Sequence, residues 1–195
     1  FPIYFVMRVS REPSTAGPWK FQPKLQGVES AWSPDDGTYK LYENYHREIA
    51  GDDIGYRFSY DDLGEGEQVT VRMGVSFVSI ENARMNLEAE QQGKTFDQLR
   101  AEATAQWNRD LGRIRIEGGT PDQQTIFYTA LYHALIHPSI ISDVNGEYPK
   151  MESGDTGKAD YTRYSVFSLW DTYRNLHPLL TLVYPERQTD MLRTL

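Results

Sequence analysis

The spacing of apolar residues changes part-way along this chain. Ile3, Phe5, Met7 and Val9 alternate with other residues, the period of a strand with one buried face. Val69, Val71, Met73, Val75 and Phe77 repeat that period across QVTVRMGVSFVSI, the clearest strand of the chain. Between these two runs, Tyr39 to Tyr42 and Ile54 to Tyr60 read as shorter strands, with Asp36-Gly37 as a hairpin turn before the first. Ser10 to Pro34 is rich in Pro, Gly and Ser and is expected to be a loop. Several strands in meander order predict a β-sandwich.

Past Ser79 the period lengthens. Glu81 to Glu90 consists largely of good helix formers, and Gly93 can end that helix. Thr95 with Gln98 forms a capping box that opens a second helix, striped by Phe96, Leu99, Ala103, Trp107 and Leu111 and closed by Gly112. Thr120-Pro121-Asp122-Gln123 is another capping box, with proline at its favoured first position. The helix it opens carries Ile126, Phe127, Ala130, Leu131, Ala134 and Leu135 on one face and stops at Pro138. A polar stretch with an Asn145-Gly146 turn runs to about Tyr161. Helices are expected from about Ser165 to Leu176 and from Pro185 to Leu195. The fold class is therefore mixed, β then α, with residues 1–80, 81–119 and 120–195 as strand region, helical linker and helical region.

Composition narrows the function classes. The 195 residues are 39% hydrophobic and 25% charged, ordinary globular proportions that allow a real core. With 20 basic against 28 acidic residues the net charge is −8, which argues against nucleic acid and against a polybasic membrane patch. Zero cysteines exclude disulfides, thiolate zinc sites and a cysteine nucleophile. The longest apolar stretch, Ile126 to Ile141, is broken by His133, His137 and Pro138 and is too short to span a membrane. The chain begins at Phe1 without a signal layout and stops at Leu195 inside a predicted helix, so it is expected to be a piece of a longer protein.

Candidate chemistry is sparse. His133 and His137 lie one helical turn apart, but Ala134 stands where a zinc protease carries its glutamate, and two ordinary helix histidines are the better reading. Asp143-Val144-Asn145-Gly146 fails as a calcium loop, because Tyr148 and Gly154 stand where glycine and glutamate are needed. No G-x-S-x-G elbow and no phosphate-binding glycine pattern exists. Trp170-Asp171-Thr172-Tyr173-Arg174 is more informative. On a helix Trp170 and Arg174 are four apart and Asp171 and Arg174 three apart, so a ring platform would sit beside an acceptor and a bidentate donor. That set suits a sugar. On residue types alone, a helix-stabilising ion pair beside a core tryptophan is the better reading.

Three long stretches bear on that choice: VRMGVSFVSIENARMNLEAE from Val71, TIFYTALYHALIHPSIISDVNGEY from Thr125 and YTRYSVFSLWDTYRNLHPLLTLVYPERQTDMLRTL from Tyr161. Together, and in that order, they resemble family 92 of the glycoside hydrolases, calcium-dependent exo-acting α-mannosidases. Residues 1–70 match only as the strand-rich end of that family's N-terminal domain.

The resemblance implies that residues 1–80 are the C-terminal part of a β-sandwich, 81–119 a helical linker and 120–195 the start of an (α/α)6 toroid. It implies hydrolysis of α-mannosidic links, commonly α-1,2, with inversion, on mannose-containing glycans in a periplasm or outside the cell. It also implies calcium. The family's acid, base and much of its calcium site belong to later parts of the toroid, so no catalytic residue is expected here. The chain alone is expected to be inactive and to lean on missing parts of its own protein. Trp170, Asp171 and Arg174 are its expected substrate-binding residues. The competing reading is a non-catalytic carbohydrate-binding or structural β-sandwich with a helical appendage, supported by 13 tyrosines and four tryptophans.

Overall fold

The computed structural model describes residues 2–22, 38–44 and 48–195. The expected Asp36-Gly37 turn lies outside them. Two compact units emerge, residues 9–70 and residues 1–8 with 71–195.

In the first unit, β2 (Thr15–Gln22) is the central strand of three, flanked by β3 (Thr38–Leu41) and β4 (Ile54–Ser59). Both pairings are antiparallel, with Trp19 opposite Leu41 on one side and Ala16 opposite Phe58 on the other. β3 and β4 fall where alternation placed them. β2 does not, because Ser10 to Pro34 was expected to be a loop. Pro18 lacks a donor, but its carbonyl accepts from the Tyr42 amide at 2.9 Å, and its neighbours are paired on both edges. Tertiary pairing overrides the turn propensity of Gly17-Pro18 here. Trp19 adds an edge-on contact with Tyr39, ring centroids 5.2 Å apart.

In the second unit, β1 (Tyr4–Val9) pairs with β5 (Val71–Ser76), and α1 (Ile80–Gln91) packs on β5. Ser79 starts α1 by accepting from the Asn82 amide at 3.0 Å. The period-two pattern of β5 is real, but Val71, Met73 and Val75 occupy its exposed side, while Gly74 and Ser76 are buried. The reason is close approach. A Cβ at Gly74 would lie 2.2 Å from the Ala83 carbonyl oxygen, so only glycine admits the helix at this distance. Side chains of α1 then serve the strand's carbonyls: Asn86 donates to Val75 O at 2.8 Å and Gln91 to Met73 O at 3.0 Å. Arg72 returns the service, donating to Gln91 O at 3.1 Å and Lys94 O at 2.5 Å near the end of α1.

α2 (Phe96–Leu111) and α3 (Pro121–Ile136) both begin with the expected capping boxes, Thr95 with Gln98 and Thr120 with Gln123. Their apolar faces are narrower than the stripes predicted. Leu131 and Leu135 are buried, whereas Phe96 and Ile126 are exposed and Ala130 lies on the solvent side. α5 (Leu176–Val183) and α6 (Pro185–Thr194) complete this core through Leu180, Tyr184 and Met191, joined by Tyr164 and Phe167. The Tyr184 hydroxyl donates to Asp110 O at 2.8 Å and ties the α5–α6 junction to the end of α2.

Two further expectations are corrected. The polar stretch before Tyr161 contains a hairpin, β6 (Glu147–Pro149) with β7 (Thr156–Lys158). Its strands are only three residues each, too short to show a period. The helix expected from Ser165 to Leu176 is a single turn, α4 (Leu169–Thr172), flanked by irregular chain.

Candidate functional site

Two side-chain clusters dominate the polar chemistry of the second unit. The first surrounds Asp143, which is only 8% exposed. Its Oδ2 accepts from the Ser76 hydroxyl at 2.7 Å and from Asn82 at 2.8 Å, while Oδ1 accepts from Asn86 at 2.6 Å. Asn82 also donates to Glu147 Oε2 at 2.9 Å, and the Val144 amide donates to Asn86 Oδ1 at 3.0 Å. Hydrogen bonds from Asn82 first and Asn145 next hold the Glu147 carboxyl below its ordinary value. The cluster joins α1 and the end of β5 to the β6–β7 hairpin. Its oxygens are occupied by amide and hydroxyl donors, so it behaves as a structural lock.

The second cluster is the α4 turn. Ser168 caps it by accepting from the Trp170 amide at 3.2 Å, and the Tyr173 amide donates to Leu169 O at 3.3 Å. The turn divides its side chains. Thr172 points inward, to Ser168 O at 2.6 Å and to His177 Nε2 at 2.9 Å. Trp170, Asp171, Tyr173 and Arg174 point outward, with Trp170 80% exposed and Tyr173 61% exposed. The structure thus brings the three expected residues onto one exposed segment, although Arg174 lies past the end of the helix. Asp171 and Arg174 form no ion pair among the described residues; the Arg174 guanidinium lies 5.8 Å from the Tyr173 ring centre. An outward indole beside an uncommitted carboxylate and a guanidinium offers a sugar an apolar plate, an acceptor and a donor.

The other candidates dissolve. α3 ends at Ile136, so His137 is outside the helix and both histidines are exposed. Among the described residues no three of His, Asp or Glu gather as a metal site, and the Asp143 and Glu147 oxygens already accept from Ser76, Asn82 and Asn86. Among the described residues no carboxylate cluster is left open to hold a calcium ion. Among the described residues no helix is long and apolar enough to cross a membrane.

Comparison with known proteins decides what this site belongs to. Residues 82–195 match the family model described as the glycosyl hydrolase family 92 catalytic domain. The chain belongs to glycosyl hydrolase family 92. The family 92 α-mannosidase BT3965 of Bacteroides thetaiotaomicron has the same fold over 98% of this chain, with a TM-score of 0.75 and 30% identity. The same mannosidase has been solved with mannoimidazole bound. The family 92 inverting mannosidase BT2199 of that bacterium gives a TM-score of 0.77 at 28% identity, again over 98% of this chain. A protein of Arthroderma benhamiae named as an uncharacterized secreted glycosidase is 34% identical over 112 residues, 55% of this chain. The chain spans 24% of each of the two mannosidases and 14% of the fungal protein. Like those family 92 structures it runs from strands into helices.

Sequence reasoning singled out the outward residues of α4 and missed what sets them. Ser168-Leu169-Trp170-Asp171 fits the S-x-x-D helix-start pattern and could have fixed the turn's beginning. Nothing in the sequence announces the inward chain from Thr172 to His177. The Asp143 lock was also missed, because its partners lie 57 to 67 positions away.

Proposed function

We propose that this chain is part of an inverting α-mannosidase that removes terminal mannose from glycans, commonly through α-1,2 links, and that the α4 turn meets the sugar. The observation that carries this reading is the outward Trp170, 80% exposed, beside an Asp171 that has no ion-pair partner among the described residues. Trp170 offers the apolar wall, Asp171 accepts from sugar hydroxyls, and Arg174 orients Asp171 or donates to a hydroxyl itself.

Inversion needs a carboxylic acid on the leaving oxygen and a carboxylate activating water on the opposite face. We assign neither role to a residue of this chain. Both groups, and the ligands of a calcium ion, would come from other segments of the family 92 enzyme. In this reading residues 1–80 end the β-sandwich, 81–119 link and 120–195 open the (α/α)6 toroid. The fungal relative's name and the glycan substrate point to a place outside the cytoplasm, in a periplasm or beyond the cell.

Asp171→Asn in a full-length enzyme carrying this chain tests the reading. Turnover of an α-linked mannobiose should lose about 2–4 kcal/mol of transition-state stabilisation, as with other lost pocket contacts, while the melting temperature stays put. Normal turnover in a mutant that melts early would make Asp171 structural instead.

A further inference from the structure

A four-residue helix does not hold its own shape, because nucleation costs more than one turn of hydrogen bonds returns. α4 nevertheless presents Trp170 and Asp171 in a defined direction, so something outside it sets the turn. Before the turn, Phe167 is buried in the helical core and its ring centre lies 5.6 Å from that of His177. After it, the Thr172 hydroxyl meets both Ser168 O at 2.6 Å and His177 Nε2 at 2.9 Å. The hydroxyl has a single proton, which goes to the carbonyl. Its oxygen is then left to accept from His177 Nε2–H, which fixes the tautomer by inference from the network. His177 Nδ1 lies 3.1 Å from the Gln188 Oε1 position; with the ring proton on Nε2, the Gln188 carboxamide, 5% exposed, must turn its NH2 to that position and donate to Nδ1. Gln188 is on α6 and His177 on the first turn of α5, the two helices that bury Leu180 and Met191. A continuous polar chain thus runs from the packed core to the residue next to Asp171.

We propose that Thr172 and His177 are positioning residues, which fix the direction of the α4 turn and through it the reach of Asp171 and Trp170 toward the mannose. This rests on the sugar-contact reading of Asp171 given above. Neither residue touches substrate. Both face inward, and their effect on the reaction passes through the turn. Small displacements of a contacting group weaken transition-state binding far more than they weaken the fold. The link should therefore be visible in kinetics before it is visible in melting.

The test uses a full-length enzyme carrying this chain, with an α-linked mannobiose as substrate. Thr172→Val keeps the shape and removes the hydroxyl. It should lower kcat/KM about tenfold, the lower end of what misplacement of a contacting group costs, at a nearly unchanged melting temperature. Thr172→Ser keeps the hydroxyl and should restore wild-type kinetics. Asp171→Asn should cost less in the Thr172→Val background than alone, because the carboxylate is already misdirected there. His177→Ala should reproduce the Thr172→Val kinetics in whatever fraction folds. If Asp171→Asn lowers kcat/KM but Thr172→Val does not, or if serine fails to restore what valine loses, the positioning role is wrong while the sugar contact stands. If Asp171→Asn leaves kcat/KM unchanged, the sugar contact is wrong and the positioning proposal falls with it.

Discussion

The two polar clusters of this chain use the same side-chain types to opposite ends. Asp143 is buried and accepts from Ser76, Asn82 and Asn86, so its hydrogen-bonding capacity is spent inside the fold. Asp171 sits on an exposed turn beside an outward indole and has no hydrogen-bond or ion-pair partner among the described residues. A buried carboxylate without partners is expensive, so a burial-and-partner inventory separates the two jobs. The first carboxylate specifies a structure. The second is left exposed. Sequence patterns alone do not make that division, because an Asp by itself reports neither its burial nor its distant partners.

The sharpest way to break the comparison is Asp143→Ala. It strands one hydroxyl and two amide donors between α1 and the β6–β7 hairpin, and leaving buried donors unsatisfied should cost about 3 kcal/mol or more. Urea unfolding of the protein would read this as a lower midpoint at unchanged slope. Asp171→Asn in the same assay should leave the midpoint in place. A midpoint for Asp143→Ala that matches wild type would mean the lock does not stabilise the fold, and Asp143 would rejoin the candidates for ligand binding.

Gly74→Ala probes the packing that brings the lock together. Its Cβ would meet the Ala83 carbonyl oxygen at 2.2 Å and the Leu87 Cβ at 2.7 Å, so α1 must retreat from β5. Overpacking of this kind costs about 1–3 kcal/mol. The retreat also stretches the Ser76–Asp143 and Asn86–Asp143 bonds, so Gly74→Ala and Asp143→Ala should be non-additive. Simple additivity in a thermal-melt cycle would show that the strand–helix contact and the lock are independent.

How much was legible follows from where each constraint comes from. The β-to-α switch, both capping boxes and the ends of α3 and α6 were readable, because period and caps are local. The face of β5 was not, since burial of Gly74 rather than Val75 depends on how closely a helix can approach. β2 was hidden by Gly17-Pro18, whose turn preference yields to partners on both edges. α4 was overextended because Ser165 to Leu176 holds good apolar residues, but Phe167 and Leu180 pack into one core and leave room for a single turn. Trp170, Asp171 and Arg174 stood out as residue types; that two of them are exposed on a capped turn required coordinates.

Acid titration gives the smallest and most discriminating contrast. The Glu147 carboxyl is held low first by the Asn82 hydrogen bond, and the Glu186 carboxyl first by its hydrogen bond from Arg113, against an ordinary value of 4.5 for each. Arg113 is correspondingly raised by the same Glu186 pair, so both partners agree on the interaction. A carboxyl held low in the folded state binds protons more weakly there than in the unfolded chain. Folding therefore gains above 4.5, and the gain drains away as pH falls from there through the lowered folded values. Melting temperature followed from about pH 6 down to about pH 3 should be flat at first and then fall. Glu147→Gln should start lower than wild type and approach it in acid, because the mutant has no proton to take up at that site. Glu186→Gln should do the same, with a smaller offset if the exposed ion pair to Arg113 is weakened by solvent. Curves for wild type and Glu147→Gln that stay parallel down to pH 3 would mean the Asn82–Glu147 bond carries no folding free energy, and the lock would then rest on Asp143 alone.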